Sequence, residues 1–309
     1  MEWAIHLGDG SRAKDWGELF PGRPPRSWES PLLESPAAVA QLLERVAGRI
    51  SPRRAYVGNE FCQSLIPTPE HLSRICRTLW KSGVDITFLT PPVTDEGLNK
   101  LRILFSWLVR QEHPIEVVFN DWGALELLHQ EFQKLDPVRG RLLNKILRDP
   151  RVTPLYNSPA APAGIRAALQ PGSLDTPFLQ HLMSRYGVRT VELDILVLSP
   201  DADFRHLPFA VSFYFPYGFV TTGRQCMTGS LRLKTAGRFQ PGLSCQRECR
   251  LYLTEHRFSG TTLETNGTLF FQRGNTFFYC PQPDVLENFL ERAEKNGVSR
   301  VVYEPGLPM

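Results

Sequence analysis

The chain has 309 residues, a formal net charge of +3, 42% hydrophobic residues and 22% charged residues. That balance excludes a disordered chain, and so small a charge calls for no polyanionic partner. The length suits one α/β barrel, which commonly fills it around a single core. Met1-Glu2-Trp3 opens with an acid, and Asp9, Arg12, Lys14 and Asp15 follow without an apolar leader segment. The longest apolar stretch, Pro208 to Val220, contains Ser212, Tyr214 and Tyr217 and is too short to span a bilayer as a helix. A reducing, cytoplasmic setting is therefore expected, in which six cysteines point to metal or catalysis rather than disulfides.

Along the chain, helical faces alternate with short β-rich runs. Ser35-Pro36 reads as a cap followed by proline at the first helical position, and Val39, Leu42, Leu43 and Val46 repeat at helical spacing. A strand is expected around Ala55-Tyr56-Val57. Thr68-Pro69 starts a helix with Leu72, Ile75, Cys76 and Leu79 on one face, ending near Gly83. The strand Ile86–Thr90, the helix Asp95–Arg110, the strand Ile115–Asn120 and a helix from Asp121 to about Phe132 follow.

One junction recurs. Lys81-Ser82-Gly83-Val84, Arg185-Tyr186-Gly187-Val188 and Lys295-Asn296-Gly297-Val298 each end a helix on glycine and enter an apolar strand. Glycine suits the left-handed position after a helix, and valine starts the strand. Helix-to-strand alternation with such tight joints predicts a parallel sheet with crossover helices. The number of units favours a single TIM-barrel-like (β/α) domain over residues 1–309. Two regions break the rhythm: an irregular N-terminal excursion at 11–30, and an irregular, cysteine-bearing insertion at 216–281 with β-like runs at Arg250–Thr254, Thr268–Phe271 and Thr276–Tyr279. Barrels build their active sites from such insertions at the C-terminal ends of strands.

Cys226, Cys245 and Cys249 fall in this insertion among Arg, Gln and Gly rather than on an apolar stripe. Thiolates are soft ligands for zinc or iron–sulfur clusters, and either usually takes four. Buried cysteine is also an ordinary small hydrophobe; Cys76, on the apolar face of its helix, is read that way. For the fourth ligand, Cys62 follows a strand and a Gly58-Asn59 turn, while Cys280 follows Phe277-Phe278-Tyr279. Position alone leaves both open.

These residues resemble a known family. Ile115-Glu-Val-Val-Phe-Asn-Asp121-Trp-Gly, His206-Leu-Pro-Phe-Ala210, Gly223-Arg224-Gln-Cys226, Cys245-x-x-x-Cys249 and Val57-Gly58-Asn59-Glu60-Phe61-Cys62 are similar, in order and spacing, to the unassigned-type peptidase family thirty-two. The likeness covers roughly residues 50–309 and is greatest to its UbiV-like branch. It implies that Cys62, Cys226, Cys245 and Cys249 hold a four-iron, four-sulfur cluster. It further implies a component of oxygen-independent hydroxylation in ubiquinone-like biosynthesis, paired with a related UbiU-like chain as a heterodimer. Asn59 departs from the glutamate usual after that glycine, and Cys280 matches a ligand position of the UbiU-like members. Other members hydroxylate transfer or ribosomal RNA, an alternative that the +3 charge disfavours. A zinc-stabilised, non-catalytic binding protein is the third reading.

Protease activity is not expected, since the chain shows neither a His-Glu-x-x-His zinc helix nor a Gly-x-Ser-x-Gly elbow. His206 and His256 neighbour the cysteines only in sequence and are read as structural. From Gly223 to Arg250, six basic residues (Arg224, Arg232, Lys234, Arg238, Arg247 and Arg250) face one acid, Glu248. Such a stretch suits a small acidic molecule, because guanidinium binds carboxylates bidentately. Arg224, two residues from Cys226, is the first candidate to hold it.

Overall fold

The computed structural model describes residues 1–19, 39, 41–45, 51–154, 158–159, 162, 164, 173–196, 202–238, 245–258 and 267–309. Eight parallel strands close into a barrel. In chain order they are β1 (Glu2–Gly8), β2 (Arg54–Gly58), β3 (Asp85–Leu89), β4 (Ile115–Phe119), β5 (Asp136–Arg139), β6 (Thr190–Asp194), β7 (Ala210–Phe215) and β12 (Val298–Tyr303). Around the barrel the order is β1-β12-β7-β6-β5-β4-β3-β2. Between β7 and β12 the chain leaves the barrel to form a four-stranded antiparallel sheet in the order β8 (Gly218–Thr222), β11 (Thr276–Cys280), β10 (Leu269–Arg273), β9 (Thr254–His256). The domain is thus a TIM-barrel-like α/β fold with a β-rich insertion on its C-terminal side.

The helices form for the reasons visible in their sequences. In α1 (Pro69–Trp80) the Thr68 hydroxyl accepts from the His71 amide, and Leu72, Ile75, Cys76 and Leu79 are all buried. Each of the three aliphatic side chains removed from water contributes about 1.5–3 kcal/mol. In α2 (Asp95–Leu108), Leu101, Leu104, Phe105 and Leu108 face inward, and Asp121 caps α3 (Trp122–Glu131) by accepting from Gly123 and Ala124. Two further helices, α4 (Pro177–Arg185) and α5 (Pro283–Ala293), both begin on proline, which loses no hydrogen bond there. Gly83, Gly187 and Gly297 all take positive φ at the repeated junctions. No helix among the described residues is long and apolar enough to cross a membrane.

Val39, Leu42 and Leu43 are helical and buried, while Ser35, Pro36 and Val46 lie outside the described residues. Of the expected excursion at 11–30, Ala13–Glu18 is a short 3-10 segment, and residues 20–30 lie outside the described residues. The expected run Arg250–Thr254 is not extended. The Glu248 carbonyl accepts from Leu251 and Tyr252 at 2.9 Å, curling the chain so that the strand begins only at Thr254.

Strand alternation divides the core in two. Outward residues such as Val191, Leu193, Val211 and Phe213 pack beneath the helices in the main apolar layer. The lumen holds a small apolar ring of Ala4, Tyr56, Leu89, Val118, Val138, Tyr214 and Val302. Above and below that ring the lumen is polar, unlike the aliphatic filling usual in such barrels. At the N-terminal end Arg300 donates to Glu2 (2.8 Å), Glu116 (2.7 and 2.9 Å) and the Tyr56 hydroxyl (2.8 Å), while Arg54 donates to Glu2 (2.8 Å). Two arginines facing two glutamates balance the charge and close the floor. The cysteine-bearing segments follow the C-terminal ends of β2 and β7.

Candidate functional site

The segment after β2 turns sharply. Gly58 has φ +116°, and a Cβ there would meet the Leu89 carbonyl oxygen at 2.5 Å, so only glycine fits. The Asn59 carboxamide oxygen then accepts from the amides of Phe61 (2.9 Å) and Cys62 (2.8 Å), fixing the turn that presents Cys62. A short polar side chain does this work.

Cys226 caps the single helical turn Met227–Ser230, its Sγ accepting from the Gly229 amide at 3.2 Å. Cys245 Sγ accepts from the Arg247 amide at 3.3 Å, and Arg247 takes the left-handed conformation (φ 59°) that folds Cys245 back toward Cys249. Amide donors to sulfur of this kind favour the thiolate and tune a bound metal centre.

The β10–β11 turn ties these loops together. The Asn275 side-chain amide donates to the Phe61 carbonyl (2.8 Å) and to the Gly223 carbonyl. The Arg273 guanidinium donates to the Cys249 carbonyl at 2.8 Å, and the Thr228 amide donates to the Gly274 carbonyl at 3.3 Å. Gly274 has φ +58°, and a Cβ there would sit 3.2 Å from that of Cys249 and against Met309. One hairpin turn thus touches the segments that carry Cys62, Cys226 and Cys249.

The four thiols consequently lie within electrostatic reach of one another. Burial raises the Cys249 thiol to about 11; Arg273 opposes this, and Cys226, Cys62 and Cys245 each add to it. Burial likewise raises Cys226, with Cys62 and Cys245 pushing the same way, and raises Cys62, with Cys245 adding. Neutral thiols in this set have to lose protons to bind metal, which makes any such binding pH-dependent. Among the described residues, no three His, Cys, Asp or Glu side chains are drawn tightly enough together to hold a single metal ion. Four soft donors, with backbone amides on the sulfurs of Cys226 and Cys245, fit a thiolate-ligated cluster in kind and number.

The other two cysteines lie elsewhere. Cys76 is buried in α1 with its thiol raised to about 12 by burial. Cys280 ends β11 in the core, its Sγ donating to the Pro281 carbonyl, and its electrostatic neighbour is Tyr217. Arg224 is exposed beside the cysteine loops and donates to the Val93 carbonyl at 3.2 Å, leaving it a position on the C-terminal face. Of the other basic residues, Arg232 pairs with Glu248 (2.6 Å) and Arg250 with Asp9 (3.4 Å). His206 bonds the Asp175 carboxylate and His256 packs against Phe277, so neither approaches a thiol in a protease-like pair.

Beneath the cysteine loops lies a second group that the sequence reading did not single out. Arg141, fully buried, donates to Glu60 (2.8 and 3.2 Å), Asp194 (3.0 Å), Glu304 (2.9 Å) and the Tyr217 carbonyl (3.3 Å). Its guanidinium carbon stands 3.6 Å over the Tyr214 ring. Arg148 donates to the other oxygen of Asp194 at 3.1 Å. Burial raises Glu60, against the pull of Arg141, and holds Glu304 well above the usual carboxylate range. The signal for this cluster was charge within apolar strands, as in Val191-Glu192-Leu193-Asp194 and Val301-Val302-Tyr303-Glu304. Glu60, two residues before Cys62, connects the two groups.

No family model matches the chain, and neither does any curated protein or solved structure.

Proposed function

We propose that this chain is an iron–sulfur protein in which Cys62, Cys226, Cys245 and Cys249 hold a four-iron, four-sulfur cluster. It would serve oxygen-independent hydroxylation, in ubiquinone-like biosynthesis, beside a related UbiU-like chain in a reducing cytoplasm. The observation that carries this reading is the convergence of four thiols from three separate segments on the C-terminal side of the barrel. Each raised thiol has the others of the set among its electrostatic neighbours. The choice of Cys62 over Cys280 is supported by its electrostatic neighbour Cys245, where Cys280 neighbours Tyr217.

A bound cluster supplies one-electron chemistry. The chain's own residues set its surroundings: the Gly229 and Arg247 amides donate to ligand sulfurs, and Arg224 presents a guanidinium at the same face for an acidic molecule. Iron and acid-labile sulfide analysis of anaerobically purified protein tests the cofactor. Near-stoichiometric iron and sulfide are expected; zinc in place of iron would return the protein to a non-catalytic, zinc-stabilised role. The reaction is tested by mass spectrometry of quinones and digested RNA from a deletion strain. An under-hydroxylated quinone precursor, seen without oxygen and absent in air, is expected. An under-hydroxylated nucleoside would move the substrate to RNA.

A further inference from the structure

We propose that the barrel mouth between His6 and Glu304 binds the oxygen of a small uncharged molecule bearing a hydroxyl or carbonyl group. This site is independent of the iron–sulfur reading.

β1 and β12 run parallel with Ile5 opposite Tyr303, so the residues that follow, His6 and Glu304 just past the end of β12, are neighbours. Both are buried, and each carries an atom with no hydrogen-bond partner among the described residues: Nε2 of His6 and Oε2 of Glu304. Buried polar atoms are nearly always partnered in folded proteins. Two such atoms on neighbouring residues at the C-terminal mouth, where barrels bind their ligands, mark a place built to receive a third group.

The surrounding residues specify its charge. Arg141 has five N–H donors, and all five are engaged by Glu60, Asp194, Glu304 and the Tyr217 carbonyl. Arg148 is engaged by Asp194 and the carbonyls of Arg141, Asn144 and Ile146. The five Arg141 donors are all taken and Arg148 uses four of its five among the described residues, and an anion would face three carboxyl groups. With a proton on Glu304, as its burial favours, a cation would meet the Arg141 and Arg148 guanidiniums and would have to displace that proton. Burial and Arg141 keep His6 neutral down to about 3. What remains open is a carboxyl O–H and an imidazole nitrogen. A hydroxyl accepts from the first and donates to the second; a carbonyl accepts from both when Nε2 carries the hydrogen.

The walls are aromatic. The His6 ring meets Tyr214 edge-on with centroids 6.3 Å apart, and Phe61 and Phe219 lie 5.3 and 5.9 Å from the Arg141 guanidinium carbon. A phenolic ring suits these surroundings.

The test uses the full chain with its seven histidines labelled with nitrogen-15, the His6 signal being identified by its loss in His6→Gln. Phenol added into the millimolar range should shift the His6 ring nitrogen saturably, while benzoate, the same ring with a negative charge, should not. Glu304→Leu should weaken phenol binding at least tenfold, and Glu304→Gln, whose amide keeps a donor, should retain it. Thermal unfolding checks that each variant is folded; His6→Phe, which leaves the Arg141 pairs intact, carries the comparison if Glu304→Leu is not. In His6→Phe, phenol affinity measured by calorimetry should again fall at least tenfold. An unmoved His6 signal, the mark of an ordered water only, overturns the site. So does benzoate binding more tightly than phenol, or unchanged phenol affinity in the folded variants.

Discussion

The Asn275 side-chain amide donates to the Phe61 carbonyl at 2.8 Å across 214 residues of sequence, holding the loop of Cys62 against the turn that also contacts the Cys226 and Cys249 segments. Asn275→Ala should therefore loosen the cysteine group more than it destabilises the barrel. The lost contacts should cost about 1 kcal/mol of stability, while iron retained after anaerobic gel filtration should fall severalfold. Iron retention equal to the unmodified protein would mean that the loops are held without this bridge.

The thiols themselves divide cleanly. Cys62→Ala, Cys226→Ala, Cys245→Ala and Cys249→Ala should each lose most bound iron and sulfide, because a cluster with four ligands has no spare. Cys280→Ala should retain both. Cys76→Ala should also retain both, and lose about 1 kcal/mol through packing under α1. Loss of iron in Cys280→Ala together with its retention in Cys62→Ala would transfer the fourth ligand to Cys280.

Arg141 is the only described cation touching Glu60, Asp194 and Glu304 together. Arg141→Met should destabilise the fold by about 3–5 kcal/mol, since it strands buried carboxyl groups. Arg141→Lys should restore little of this, because an ammonium cannot reproduce a five-donor planar fork. Urea unfolding midpoints measure both, and near-equal stability of Arg141→Lys and the unmodified protein would contradict the geometry.

Glu192 should impose a pH dependence on stability. Its carboxyl is raised to about 8 by burial, with Glu60 adding to the shift, and it accepts from the Tyr214 hydroxyl at 2.8 Å. The folded chain thus holds this proton more tightly than the unfolded chain does. The contribution is complete below the ordinary value of 4.5 and is lost as pH rises through about 8. Glu192→Gln, neutral throughout, should flatten the decline in unfolding temperature across this window. Parallel curves for the two proteins would show that the folded carboxyl ionises normally.

Arg224 is exposed and, among the described residues, makes one hydrogen bond, to the Val93 carbonyl. Arg224→Ala should leave iron content unchanged and stability within about 0.5 kcal/mol. If Arg224 holds an acidic molecule, the variant should still fail to restore the hydroxylated product in anaerobically grown deletion cells. Full restoration would remove Arg224 from substrate binding.

Local chemistry was legible from residue order alone. Proline and threonine at 68–69, the glycines at 83, 187 and 297 and the apolar face of α1 act within a few residues, so their spacing already specifies helix starts, helix ends and strand entries. The strands β1, β5 and β8 were less legible, because four to seven residues with mixed polarity carry little periodic signal. The convergence of Cys62 with Cys226, Cys245 and Cys249 needed the tertiary structure. It depends on barrel closure, which brings β2 near the insertion after β7, and on the Asn275 turn that joins them. The same is true of Arg141 with its three acids. Glu60, Asp194 and Glu304 are 134 and 110 residues apart in sequence, and only a closed parallel barrel points their strand ends at one guanidinium. Sequence by itself determined the alternation of elements and the thiols available; the fold decided which of those residues share one low-dielectric space, where a charge or a thiolate is stable only among its partners.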